Sequence, residues 1–211
     1  MEYLSWPNLV SLARMVVIVP FALALSKTQH PVTGEQARWT ALGLFTILLL
    51  SDVLDGYLAR RLNQRSYAGV LLDPVADYLL IATAAVLMCH EATHVPGARL
   101  PILVAIVIIG KDAIVALGVF VIYARTGWPY SQVTALGKWC RALQVATVVG
   151  IMLYPDLPGL LGIILPGLWW LVTVLAVLNL AQYGLMGYRF VTKSQPDQGY
   201  ARQSPESTGG D

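Results

Sequence analysis

Residues 51–80 read SDVLDGYLARRLNQRSYAGVLLDPVADYLL and place four aspartates inside or beside long apolar runs. Asp52, Asp55, Asp73 and Asp77 follow the spacing D-x2-D-G-x2-A-R, then eight residues, then G-x3-D-x3-D. A charged side chain at the centre of a membrane helix costs about 2.5–3.5 kcal/mol on insertion scales, so such residues mark sites that do something. On a helix, Asp52, Asp55, Gly56, Ala59 and Arg60 share one continuous face. Gly69, Asp73 and Asp77 share one face of the next helix. The short connection makes the two helices antiparallel neighbours, so the acidic faces can look at each other. Unpaired, four carboxylates would repel and take up protons. One or two Mg²⁺ or Mn²⁺ ions would neutralise them, since hard oxygen ligands suit these cations. Gly56, Ala59 and Gly69 keep the faces free of bulk, and Arg60 offers a fork of donors suited to phosphate.

Composition makes the setting a membrane. Charged residues are 12% of the chain and hydrophobic residues 56%, where a soluble domain carries about 25% charge. The mean hydropathy is +0.63. Six apolar segments, about 8–26, 39–60, 69–89, 99–124, 134–154 and 160–187, each have the length of a bilayer-crossing helix. Breaks fall at His30-Pro31, Pro96-Gly97, Gly127-Trp128-Pro129 and Pro155 to Gly159. The expected fold is all-α: a polytopic six-transmembrane-helix bundle with a polar cavity facing the cytoplasm. Residues 1–193 form the membrane domain, and 194–211 a polar tail expected to be disordered. The N-terminus lacks a basic leader and reads as a retained first span.

Basic residues set the orientation. Arg60, Arg61 and Arg65 lie between the second and third segments, Arg125, Lys138 and Arg141 flank the fourth-to-fifth turn, and Arg189, Lys193 and Arg202 follow the sixth. The opposite loops hold Lys27, Arg38 and Arg99. The positive-inside rule then puts both termini and the aspartate motif on the cytoplasmic side. Cys89 and Cys140 have no metal-ligand spacing, and His30, His90 and His94 fall in expected loops. The basic residues are few and lie mainly at membrane edges, which leaves a nucleic-acid role without support.

Polar residues also join membrane helices, and a lone Asp–Arg pair would divide evenly between structure and function. Eight fixed positions at set gaps are a more specific signal. They resemble the motif of the CDP-alcohol phosphatidyltransferases, with every fixed position matched. Pro7 to Arg14 with Pro20-Phe21 is similar to that family's first helix, and Gly137-Lys138 with Ala142-Leu143-Gln144 resembles its phosphatidylglycerophosphate synthase and cardiolipin synthase branches. The resemblance implies a six-helix bundle, a homodimer and a two-metal centre holding Mg²⁺ or Mn²⁺. It implies that Asp52, Asp55, Asp73 and Asp77 are metal ligands and that Asp77 is also the proton acceptor. Asn8, Ser11, Gly56, Ala59, Arg60, Ser66 and Gly69 would hold the CDP moiety. The implied reaction moves a phosphatidyl group from CDP-diacylglycerol to an alcohol and releases CMP, in a multi-pass protein of the bacterial inner membrane.

The acceptor should touch residues outside the motif: Arg14, Lys111, Asp112, Lys138 and Arg141 are the candidates. A basic lining suits an anionic alcohol. Glycerol 3-phosphate leads, with phosphatidylglycerol or an inositol phosphate as alternatives. Gly110-Lys111-Asp112 is similar to the cardiolipin synthase branch, where an Arg-Asp pair is usual, whereas Ala176 to Tyr183 resembles the phosphatidylglycerophosphate synthases. Tyr78 stands where those branches typically have Lys. An ion- or proton-coupled transporter is the reading from another class. The clustering of the acids at one membrane face and the lack of an evident inverted repeat count against it.

Overall fold

A computed structural model describes residues 6–62, 67–126 and 134–193, with side chains described over 13–52, 75–118, 120–121 and 134–186. The six helices are α1 (Trp6–Ser26), α2 (Gly34–Leu62), α3 (Tyr67–Cys89), α4 (Ile102–Thr126), α5 (Ala135–Leu153) and α6 (Pro158–Lys193). Among the described residues the only β pairing is an isolated bridge, Val95 with Ala98. The all-α expectation holds, and each expected apolar segment falls on its own helix. The tail 194–211 lies outside the described residues.

α3 packs between α1 and α4, α1 also lies on α2, and α6 runs along both α4 and α5. The core is mainly apolar. Phe21 of α1 meets Phe45 of α2 with ring centroids 5.7 Å apart, and Leu25, Met88, Ile151, Leu165 and Val172 are fully enclosed around them. The outside is apolar too. Val16, Leu23, Ile47, Leu50, Val86, Ile106, Phe120, Trp139, Ile163 and Trp170 are all exposed. That is the reverse of a soluble bundle, whose helices turn polar faces outward.

Among the described residues two helical stretches are long and apolar enough to cross a membrane, Ala135–Leu153 and Pro158–Met186, with Ala13–Ser26 and Val75–Cys89 as shorter apolar pieces. The described side chains of α2 run from 34 to 52 and include Glu35, Arg38 and Asp52, which lowers the apolarity of that stretch.

Two helix ends depart from the expected boundaries for local reasons. α4 starts after Leu100 and Pro101, because Leu100 N–H donates back to Met88 carbonyl at 3.1 Å and keeps that stretch in the loop. α2 starts at Gly34, so Arg38, expected in a loop, lies within the helix and is buried. Gly34 is required there: a Cβ would sit 2.4 Å from Thr28 carbonyl oxygen. His30, His90 and His94 do fall in loops between helices.

The turns at one end of the bundle are fastened together. Gln29 Nε2 donates to Glu91 carbonyl at 3.0 Å, and the Thr28 hydroxyl donates to Thr93 carbonyl at 3.1 Å. The motif aspartates lie towards the other end, near the C-terminus of α2 and the N-terminal half of α3.

Candidate active site

Three helices converge on one guanidinium. Arg14 of α1 has a side chain only 4% exposed. Its Nη1 lies 2.7 Å from Asp52 Oδ1 on α2 and 3.6 Å from Asp77 Oδ1 on α3. Asp52 comes from the first half of the aspartate motif and Asp77 from the second, so the structure brings both halves to one point. A fourth helix closes the group, as Arg141 of α5 pairs with Asp77 Oδ2. Exposure rises outward from Arg14 to Asp77 at 17% and Arg141 at 53%. A polar path therefore leads from the buried guanidinium to the surface.

A buried cation is tolerated only when it is paired and hydrogen-bonded. Here the pairing runs between helices, which fixes their relative registers. Two aspartates presenting hard oxygens at one point fit a hard divalent cation. Among the described residues no three or more His, Cys, Asp or Glu side chains are grouped so that they could hold a metal ion. The side chains of Asp55 and Asp73 lie outside the described residues, as do those of Asn8, Ser11, Gly56, Ala59, Arg60 and Gly69, while Ser66 is outside them altogether.

Two of the remaining candidates, Lys111 and Asp112, form a second cluster between α4 and α5. Lys111 is buried and pairs with its neighbour Asp112 through Nζ and Oδ1. Asp112 Oδ2 accepts a hydrogen bond from Gln144 Nε2 at 3.2 Å, and Lys111 Nζ lies 3.7 Å from Cys140 Sγ. This is the internal Lys–Asp contact that a charge pair inside an apolar helix calls for. Lys138 is exposed on α5, one turn before Arg141.

Three polar features escape a reading of the sequence. Gln144 is the cross-helix partner of Asp112. Asn179, 1% exposed on α6, donates from Nδ2 to Thr134 Oγ1 at 3.2 Å. Thr134 in turn caps α5 by accepting from Gly137 N–H at 3.0 Å. At the fastened end, Arg38 donates from Nη1 to Met152 carbonyl at 2.7 Å and pairs with Asp156, lining a cleft of about 310 Å³. A polar Asn inside the apolar run of α6, and a Thr just before α5, were the available signals.

The model of the family described as CDP-alcohol phosphatidyltransferase matches residues 4–181. Among curated proteins, the chain is 30% identical over 166 residues to a CDP-diacylglycerol–glycerol-3-phosphate 3-phosphatidyltransferase of Cereibacter sphaeroides, covering 79% of this chain and 71% of that one. It is 34% identical over 135 residues to a CMP-forming cardiolipin synthase of Streptomyces coelicolor, covering 64% of this chain and 59% of the relative. It is also 37% identical over 110 residues to a CDP-diacylglycerol–glycerol-3-phosphate 3-phosphatidyltransferase of Pseudomonas fluorescens, covering 52% of each. The chain thus spans between about half and seven tenths of the length of these relatives.

Proposed function

This chain belongs to the CDP-alcohol phosphatidyltransferase family and has a transferase activity, and from that premise we propose that it moves a phosphatidyl group from CDP-diacylglycerol to glycerol 3-phosphate, giving phosphatidylglycerophosphate and CMP. The observation that carries the reading is the meeting of Asp52 and Asp77 at Arg14. It gathers both halves of the motif at the end of the bundle to which the sequence assigns the cytoplasmic side. The choice of acceptor rests on the relatives from Cereibacter and Pseudomonas, whose names specify glycerol 3-phosphate.

The acceptor hydroxyl would attack the phosphorus that carries diacylglycerol, the bond to the CMP oxygen would break, and the hydroxyl proton would pass to Asp77. Asp77, 17% exposed between buried Arg14 and open Arg141, would meet the alcohol entering from the Arg141 side. Arg141 is the most exposed member, and its guanidinium suits the phosphate of glycerol 3-phosphate. Lys138, one turn away, would add charge to that approach. Lys111 and Asp112 would shape the wall through Gln144. Asn8, Ser11, Gly56, Ala59, Arg60, Ser66 and Gly69 would hold the CDP moiety. Mg²⁺ or Mn²⁺, two per site and held by Asp52, Asp55, Asp73 and Asp77, would offset negative charge developing on the pyrophosphate.

The setting we propose is a six-span homodimer in a bacterial inner membrane. Both termini and the site would face the cytoplasm, with residues 1–193 as the membrane domain and 194–211 as the tail. Exposed apolar side chains on all six helices support the spans. The split of basic residues between the two ends supports the orientation.

The test is CMP release by purified protein with CDP-diacylglycerol, Mg²⁺ or Mn²⁺, and separate acceptors. Metal-dependent release with glycerol 3-phosphate is the expected result. Release with phosphatidylglycerol alone would reassign the acceptor. Folded protein that neither releases CMP nor binds CDP-diacylglycerol would overturn the reading.

A further inference from the structure

Arg14 is chemically out of place for a substrate contact. It is the most enclosed member of the cluster, with 4% of its side chain exposed, while Arg141 beside it is 53% exposed. Its Nη1 faces Oδ1 of Asp52 and Oδ1 of Asp77, one from each half of the motif. Aspartates gathered at one point repel each other, and the repulsion grows in a poorly hydrated site. A fixed positive charge between them removes much of that cost. A planar guanidinium does this better than an ammonium, because several N–H donors point in fixed directions.

We propose that Arg14 is a positioning residue that acts as the built-in counter-ion of the acidic centre, so that α2 and α3 keep their acidic faces together whether or not a divalent cation is bound. The proposal rests on the reading that the four aspartates bind a divalent cation, and it adds a role for a residue outside that ligand set. Arg14 carries the protein through each interval in which the cation is absent. The cation then enters a centre already assembled, and does not have to draw mutually repelling strands of charge together. Without Arg14, cohesion of α1, α2 and α3 at this end would become conditional on the cation.

The experiment compares thermal unfolding of the full chain in detergent with EDTA and with Mn²⁺, for the wild type and for Arg14→Gln, alongside Mn²⁺ binding measured without substrate. Wild type is expected to gain modestly from Mn²⁺. Arg14→Gln is expected to lose about 10 °C in EDTA, as removal of one partner from a buried ion pair does, and to recover most of that loss with Mn²⁺. An equal loss with and without Mn²⁺ would mean that Arg14 only packs, and would overturn the proposal. Unchanged stability with a raised KM for the acceptor would make it a substrate contact, and would overturn it too. A wild type that neither binds Mn²⁺ nor gains stability from it would remove the cation reading itself, and the proposal with it. If Arg14→Gln unfolds under both conditions, Arg14→Lys decides. Its shorter side chain holds the charge back from the two carboxylates that Arg14 Nη1 reaches, so its gain from Mn²⁺ should exceed that of the wild type. An equal gain overturns the proposal.

Discussion

Arg38, early in α2, and Asp156, in the turn between α5 and α6, form a two-pronged ion pair, with Nη2 donating to Oδ1 at 3.0 Å and Nη1 to Oδ2. The same guanidinium donates to Met152 carbonyl, so one side chain fastens α2 to the end of α5. The hydrogen bond from Arg38, helped by its charge and opposed by desolvation, holds the Asp156 carboxyl below its ordinary value of 3.8. A carboxyl lowered on folding contributes stability that is fully present above its unfolded value and is lost as pH falls through its folded value. Asp156→Asn should therefore unfold at a lower temperature than wild type at neutral pH. The gap should narrow once pH drops below 3.8. Unfolding temperatures of both proteins from pH 7 to pH 3 check this, and a gap that widens in acid would contradict it.

Asp77→Asn should cut CMP release by roughly 10²–10⁴-fold, the usual contribution of a positioned proton acceptor. Helix content should be unchanged, since the amide is the same size. A variant with intact circular dichroism and near wild-type turnover would move the proton transfer elsewhere.

The Lys111–Asp112 pair gives a signed stability test. Asp112→Ala leaves a buried ammonium without its carboxylate and should cost about 3 kcal/mol. Adding Lys111→Met removes the stranded charge and should restore more than half of that loss. The coupling between the two substitutions, read from a double-mutant cycle in denaturant or heat, is the measured quantity. Simple additivity would mean that the pair is not an energetic unit.

Thr134→Ala should destabilise the protein by about 1 kcal/mol, the typical value of an N-cap. It removes the acceptor for Gly137 N–H and the partner of the buried Asn179. Thr134→Ser keeps the oxygen and should lose much less. Equal losses for the two variants would assign the effect to the methyl group.

Much of this was legible in residues 51–80. The spacing of Asp52 and Asp77 within their helices is local, and periodicity alone puts each on the motif face. What periodicity cannot supply is the register of one helix against another. That Arg14 would reach Asp52, at a sequence separation of 38, depends on how α1 slides along α2. The bond between Asp112 and Gln144 depends in the same way on α4 and α5. Arg38 was misplaced because a helix boundary was set at the first strongly apolar stretch. The stop that decides is Gly34, where the backbone of α2 meets that of Thr28. The residues proposed to hold the CDP moiety and two of the four aspartates have side chains outside the described ones, so their assignment rests on the sequence and the family resemblance.

The fastened turns have a mechanical meaning. Thr28 and Gln29 tie the end of α1 to the α3–α4 loop, and Arg38 ties α2 to the α5–α6 turn. Tied in this way, that end would act as a pivot, with the helices that carry Arg14, Asp52 and Asp77 as its levers. From Thr28 to Arg14 the arm is about 20 Å at 1.5 Å per residue, so a tilt of about 3° at the pivot swings Arg14 by about 1 Å. Misplacement on that scale can cost a reaction a hundredfold in rate. Loosening a turn that no substrate ever touches would then register first as a slower enzyme, before the bundle showed any sign of coming apart.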